Sequence, residues 1–374
     1  MPGPQSQATA AAAADIKLSY LLLSPRHAFS SIATSARAVV LAGGTMSPFE
    51  DYTAHLFPSL DPAKITTLSC DHVIPRENLC VWTLTNPRGG GGSSGAGAAG
   101  AADFEFSFQK RGDRAMIRDL GIAILNICTV VPDGVVVFFP SYGYLDEVVG
   151  VWGGGGSADD KKTPPTVGAT PSPITIWQKL RARKAVFRET KGGSSDDVLE
   201  QYSRAILGDG GGGGGGGALL LSVVGGKMSE GINFSDRLGR CVVVVGLPYP
   251  NAHAADWKAR IEHVEATTLS RLQEQQQAPS PPAPAYSAAA KQAARDFYEN
   301  ACMRAVNQSV GRAVRHRADY AAIVLVDRRF ASPRIRAKLP AWIRAGLAPG
   351  CETAALGLMM GRLAAFFRAR RDAA

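Results

Sequence analysis

Five short apolar runs, rich in β-branched residues, punctuate the chain at Ala38–Leu41, Val135–Phe139, Leu219–Val224, Cys241–Gly246 and Ala322–Val326. None alternates with polar positions. Each therefore predicts a strand buried on both faces, as in a parallel sheet covered by helices. Helical spacing fills the intervals. Met116, Leu120, Ile124 and Ile127 fall at i, i+4, i+8 and i+11, one face of a helix opening near Asp113. Residues 195–207, 252–273, 291–306 and 354–370 follow the same pattern. Strands alternating with helices predict a doubly wound α/β domain.

Low-complexity stretches at about 87–102, 153–173, 208–217 and 275–290 interrupt that alternation and account for much of the 41 Gly and 23 Pro. They carry too few large apolar groups to offset the entropy of ordering, which predicts surface insertions without fixed structure. Setting them aside leaves roughly 300 residues, ample for one large α/β domain or two small ones. A hydrophobic content of 45% excludes a mostly disordered chain. No run of about 18 uncharged apolar residues is present to span a bilayer, so no membrane association is expected. Residues 1–15 read as a disordered start, because Asp15 and Lys17 break the apolar run and no basic residue precedes it. Gly91-Gly92-Ser93-Ser94-Gly95 matches the hydrolase pattern G-x-S-x-G, but no apolar strand leads into it and the match is chance. The six cysteines stand at least ten residues apart, which excludes a C-x-x-C zinc ribbon and predicts reduced structural thiols. Cys70 and His72 make half a metal site at most, so no metal site is expected.

Charge narrows the reading. The net charge is +9, but residues 301–374 alone hold 14 Lys and Arg against 4 Asp and Glu. A basic tail on a neutral body implies a polyanionic partner, with a solvated Arg-rich face as the alternative. Ligands of parallel sheets sit at the carboxyl ends of strands. Two of the apolar runs lead into polar, glycine-containing loops there. One is Gly43-Gly44-Thr45 after Ala38–Leu41; the other is Gly225-Gly226-Lys227-Met228-Ser229-Glu230-Gly231-Ile232-Asn233 after Leu219–Val224. Glycines admit a phosphate to the backbone N–H groups and Lys227 adds a cation, although an ordinary β-to-α turn has the same composition. A third segment, Gln308-Ser309-Val310-Gly311-Arg312-Ala313-Val314-Arg315-His316, reads as a helix. Steps of four and seven residues put Gln308, Arg312 and Arg315 on one face, with Gly311 permitting a close approach. Two adjacent guanidiniums repel each other and suit an anion, phosphate above all.

The order of these segments is more specific than any one of them. Gly-Gly-Thr (43–45), Phe138-Phe139-Pro140-Ser141-Tyr142, the 226–234 loop and the 308–316 segment resemble, in sequence, motifs III to VI of superfamily-two helicases of the iron–sulfur XPD family. The 218–236 phrase is most similar to the branch acting in sister-chromatid cohesion. The resemblance runs from about Ile16 to the C-terminus. It implies a RecA-like fold, with 16–60 as the end of a first RecA-like domain plus linker and 61–374 as the second. It also implies an ATP-dependent DNA helicase coupling ATP binding and hydrolysis to single-strand translocation and duplex unwinding. Arg312 and Arg315 would act on the phosphoryl group, and Gln308, Gly311, Glu230, Gly231 and Asn233 would meet the nucleotide. Gly44, Thr45, Ser141, Tyr142, Lys227 and Ser229 would face DNA or couple to it. Many relatives carry Asp where Asn233 stands. ATP with Mg²⁺ is the implied cofactor, single-stranded and forked DNA and a first RecA-like domain the partners, and the nucleus the compartment. The basic cluster Lys179, Arg181, Arg183 and Lys184 is compatible with nuclear residence.

The sequence contains no G-x-x-x-x-G-K-[ST], no acidic box of the Asp-Glu-Ala-His type and no four-cysteine cluster. An iron–sulfur cluster is therefore expected only upstream. Alone, the chain is expected to hydrolyse ATP negligibly, as a fragment, a truncated gene product or half of a split enzyme. A non-enzymatic nucleic-acid-binding or regulatory module with the same fold is the alternative.

Overall fold

The computed structural model describes residues 18, 20–70, 72–87, 103–155, 173–208, 216–231, 234–274 and 283–372. Six strands run parallel: β1 (Leu79–Leu84), β2 (Gly134–Phe139), β3 (Ala185–Arg188), β4 (Ala218–Val223), β5 (Cys241–Val245) and β6 (Ala321–Val326). Their spatial order is β1-β6-β5-β2-β4-β3. Val136 lies opposite both Leu220 of β4 and Val242 of β5, in the middle of the sheet.

Alternate side chains of each strand enter two separate cores. Val135, Val137 and Phe139 pack with α3 (Arg114–Val130), α4 (Tyr142–Trp152), α5 (Ile176–Arg183) and α12 (Leu356–Arg371). Val136 and Phe138 meet the opposite layer: α6 (Ser195–Leu207), α7 (Lys227–Gly231), α9 (Ala283–Val310), α10 (Pro333–Ala337) and α11 (Ala341–Gly346). Burial on both faces is what the unbroken apolar runs encode, and the doubly wound α/β expectation holds. Helix starts follow local chemistry. Asp113 accepts from the N–H groups of Ala115 (2.8 Å) and Met116, Ser141 caps α4, and Thr175 with Gln178 closes a capping box on α5.

Three expectations need correction. Ala38–Leu41 forms no strand and pairs with none among the described residues; Val40 is 88% exposed. Without neighbours to complete a ladder, an apolar run does not become a strand. The 275–290 stretch is helical from Ala283, where α9 begins and runs antiparallel to α8 (Ala255–Glu274). Ala-rich composition is low in complexity yet favours a helix. Lys184 is buried and donates from Nζ to the carbonyl oxygens of Asp133 (2.8 Å) and Gly216, so it does not extend the exposed basic cluster on α5. Most of the other low-complexity positions, and Gly91–Gly95 with them, lie outside the described residues.

Upstream of the sheet, α1 (Arg26–Ser35) and α2 (Glu50–Leu56) pack through Phe29 and Phe57. Buried Asp51 fastens α2 to α9, accepting from Asn300 (2.8 Å) and Arg304 (2.6 Å). The six cysteines are free thiols, five of them buried. Cys70 is exposed, and His72 packs its ring on Trp342 at 4.6 Å. Phe367 is buried and Phe366 packs beside it, so these two rings of α12 belong to the core. No described helix is long and apolar enough to cross a membrane.

Leu220→Ala, fully buried on β4, should lower the unfolding free energy by about 2–5 kcal/mol in urea denaturation. Val40→Ala should stay within about 0.5 kcal/mol. Equal losses would contradict the exposure of the 38–41 segment.

Candidate nucleotide and nucleic-acid site

The turn after α9 differs from expectation. Gln308 lies exposed in the last turn of α9, and the helix stops at Val310. Arg312 and Arg315 therefore leave the helical face predicted for them. Gly311 N–H still reaches Asn307 O (2.9 Å), whereas Ala313 N–H reaches only Val310 O, a tighter i−3 bond. Beyond it, competing partners take the backbone. Arg312 O accepts from Phe234 N–H at 3.3 Å, and Arg315 N–H donates to Asp319 Oδ2 at 3.3 Å. The turn thus lies against the end of the loop that follows β4.

Asp319 organises this junction. It is buried, and its Oδ1 accepts from Arg240 Nη1 (2.9 Å) and Tyr320 N–H (2.8 Å). Its Oδ2 accepts the N–H groups of both Arg315 and Asp236. The Arg240 guanidinium also lies 3.8 Å over the Tyr320 ring. One carboxylate thus joins the 234–236 stretch to the 312–315 turn. Asp236 adopts φ 56°, a left-handed conformation that Asp tolerates, and its Oδ1 is 2.9 Å from His316 Nε2. Asp236, His316 and Asp319 place ligand-type atoms within 4.8 Å of one another, but Asp319 already carries the Arg240 cation.

Thr45 joins from the upstream segment. A Cβ at Gly311 would lie 3.2 Å from Thr45 Cγ2 and 3.1 Å from Asn307 O, so the absence of a side chain there admits Thr45. Gly44 and Thr45 form a turn with Gly44 exposed, and Asn307 Nδ2 donates to Ser47 O.

The other end of the same loop sits beside α4. Ser141 spends its hydroxyl as the α4 cap, accepting from Tyr144 N–H (3.2 Å). Tyr142 is half-buried and donates to Glu189 Oε1 at 2.7 Å; burial and then this hydrogen bond push its phenol up to about 12. Ser141, Tyr142, Arg188, Thr190 and Lys191 line an open groove of about 490 Å³ at the ends of β2 and β3, where Arg188 also pairs with Asp146. Lys227 is exposed at the start of α7. Ser229 is buried, its hydroxyl donating to Gly226 O (2.9 Å), so it closes the loop and does not face outward. Glu230 and Gly231 lie in α7, and Asn233 lies outside the described residues.

Residues that sequence reading passed over hold these parts in place. Glu189 follows the short edge strand β3, and Asp319 is an acid standing within a basic stretch just before β6. A lone carboxylate at a strand terminus was the available signal for both. The basic tail is also less free than its charge suggests. Arg328, Arg334 and Lys338 pair with Glu105, Glu299 and Glu299, and Arg304 with Asp51, all carboxylates from the first 300 residues.

Residues 124–346 match the helicase C-terminal domain family. The chain is 52% identical to ATP-dependent DNA helicase chl1 of Neurospora crassa over 95% of its own length and 36% of that protein. It is 44% identical to the ATP-dependent DNA helicase chl1 of Aspergillus clavatus, over 95% of this chain and 44% of the relative. The chain thus spans under half the length of these relatives. The solved structure titled "Structure of S. tokodaii Xpd4" aligns at 18% identity and a TM-score of 0.45, covering 84% of this chain and 45% of that one.

Asp319→Ala would leave the buried Arg240 charge uncompensated and should cost about 3–5 kcal/mol in chemical denaturation. Adding Arg240→Met should recover much of that loss. A single variant as stable as the parent chain would contradict the clamp.

Proposed function

The chain belongs to the helicase C-terminal domain family, and we propose that it forms the second motor half of an ATP-dependent DNA helicase. The observation that carries this reading is the meeting of three separate segments beside the amino ends of β5 and β6: Thr45 against Gly311, and Phe234 N–H on Arg312 O. In this reading Arg312, Arg315 and Gln308 face a triphosphate held by a first domain outside these residues, which brings Mg²⁺. An inserted guanidinium stabilises the charge that spreads over the transferring phosphoryl oxygens. This chain's part is to position those cations, which the Asp319 clamp on the Arg315 backbone supports.

Single-stranded DNA would cross the α4 start, with Lys191 and Lys227 neutralising phosphates in a salt-dependent way. Gly226 lies beside Tyr142 and Phe234 bonds Arg312, so the segment after β4 reaches both places and would couple them. Forked substrates, 5′-to-3′ travel and nuclear residence extend the reading on family resemblance.

In a motor supplied with a Walker-A-bearing first domain, Arg315→Ala should lower DNA-stimulated ATP turnover by a thousandfold or more. Single-strand affinity should change by less than about 1 kcal/mol. Weakened DNA binding with turnover spared would assign the turn to DNA instead. The 374-residue chain alone should bind single strands with negligible ATPase, and robust turnover would overturn the two-domain reading.

A further inference from the structure

Glu189 is 2% exposed, and its carboxylate collects four donors. Oε1 accepts from Tyr142 Oη (2.7 Å) and Met228 N–H (3.4 Å); Oε2 accepts from Ser222 Oγ (2.6 Å) and Val223 N–H (3.1 Å). These donors come from three elements: the start of α4, the end of β4 and the first turn of α7. A Cβ at Gly226 would lie 2.7 Å from Glu189 Oε1 and 2.8 Å from Tyr142 Oη, so only glycine lets the chain pass this cluster.

We propose that Glu189 is a positioning residue that ties Tyr142, the end of β4 and the start of α7 into one unit, so that a nucleic-acid strand seated in the Tyr142 groove moves the Lys227–Gly231 segment with it. The coupling to nucleic acid rests on the functional reading above; the linkage itself does not. Geometry supports a carboxylate in particular. Each oxygen faces one main-chain N–H, and such a donor cannot turn away. An amide in this place must direct its NH₂ at one of them, whichever way it flips. The shorter Val223 contact keeps the amide oxygen, and Tyr142 can rotate its hydroxyl to accept from the NH₂. Met228 N–H is then the group left unpaired, in a buried position. Glu189→Gln should therefore unhook α7 while leaving β4 and the groove in place.

The test is amide hydrogen exchange on the 374-residue chain, with and without a dT oligonucleotide. In the unsubstituted chain, dT should slow exchange at 141–145 and at 227–231 together. In Glu189→Gln, the Met228 amide should exchange at least tenfold faster without DNA, and dT should protect 141–145 alone. Ser222→Ala removes a donor from the other oxygen and should leave the joint protection intact. Unchanged Met228 exchange in Glu189→Gln would overturn the proposal. So would a uniform rise across β4 and α9, which would mean that Glu189 only stabilises the fold. If dT fails to bind the unsubstituted chain, the nucleic-acid reading of the groove falls and the coupling with it; the DNA-free exchange at Met228 then decides whether the linkage stands.

Discussion

The loop from Gly225 to Asp236 is held at both ends by buried carboxylates, and the arrangement of the site depends on that constraint. Glu189 takes the N–H groups of Val223 and Met228 at one end. Asp319 takes the N–H of Asp236 at the other and shares the same oxygen with Arg315. Backbone N–H groups donated to an ionised acceptor in a buried site are costly to break, because each lost bond strands a donor away from water. The two carboxylates differ in how their charge is met. Asp319 has the Arg240 guanidinium, whereas Glu189 is met by two hydroxyls and two main-chain N–H groups.

This clamp explains why the cations need no regular helix to present them. Beyond Gly311 the chain abandons i−4 bonding, and Phe234 and Asp319 bind the freed backbone instead. Gly311 lets Thr45 in at the point where the helix gives way. Three segments far apart in sequence thereby share one junction. Arg304, Arg328, Arg334 and Lys338 of the tail pair with acids of the first 300 residues, so the charge of the tail taken alone overstates how basic its surface is.

How far the sequence revealed this follows from burial. The four inner strands, β2, β4, β5 and β6, were legible because burial on both faces demands unbroken apolar runs. The two unread strands, β1 and β3, are the sheet edges. β3 has four residues, none of them buried, and so carries little apolar signal. β1 includes the polar Thr83, which interrupts the apolar run, and its outer side is covered by a bridge from Val81 to Leu347. At the site, local motifs marked the glycines, the cations and Tyr142. The acids that position them were silent, since their meaning lies in contacts such as 189 with 228 and 319 with 236, which no local pattern encodes.

If the clamped loop joins the groove to the arginine turn, nucleotide and DNA must influence each other reciprocally. The direct measurement is the affinity of a motor containing both domains for a dT oligonucleotide, with and without a non-hydrolysable ATP analogue. The account predicts a change of about fivefold or more, with the same factor in analogue affinity when DNA is added. Equal affinities in both directions would contradict it.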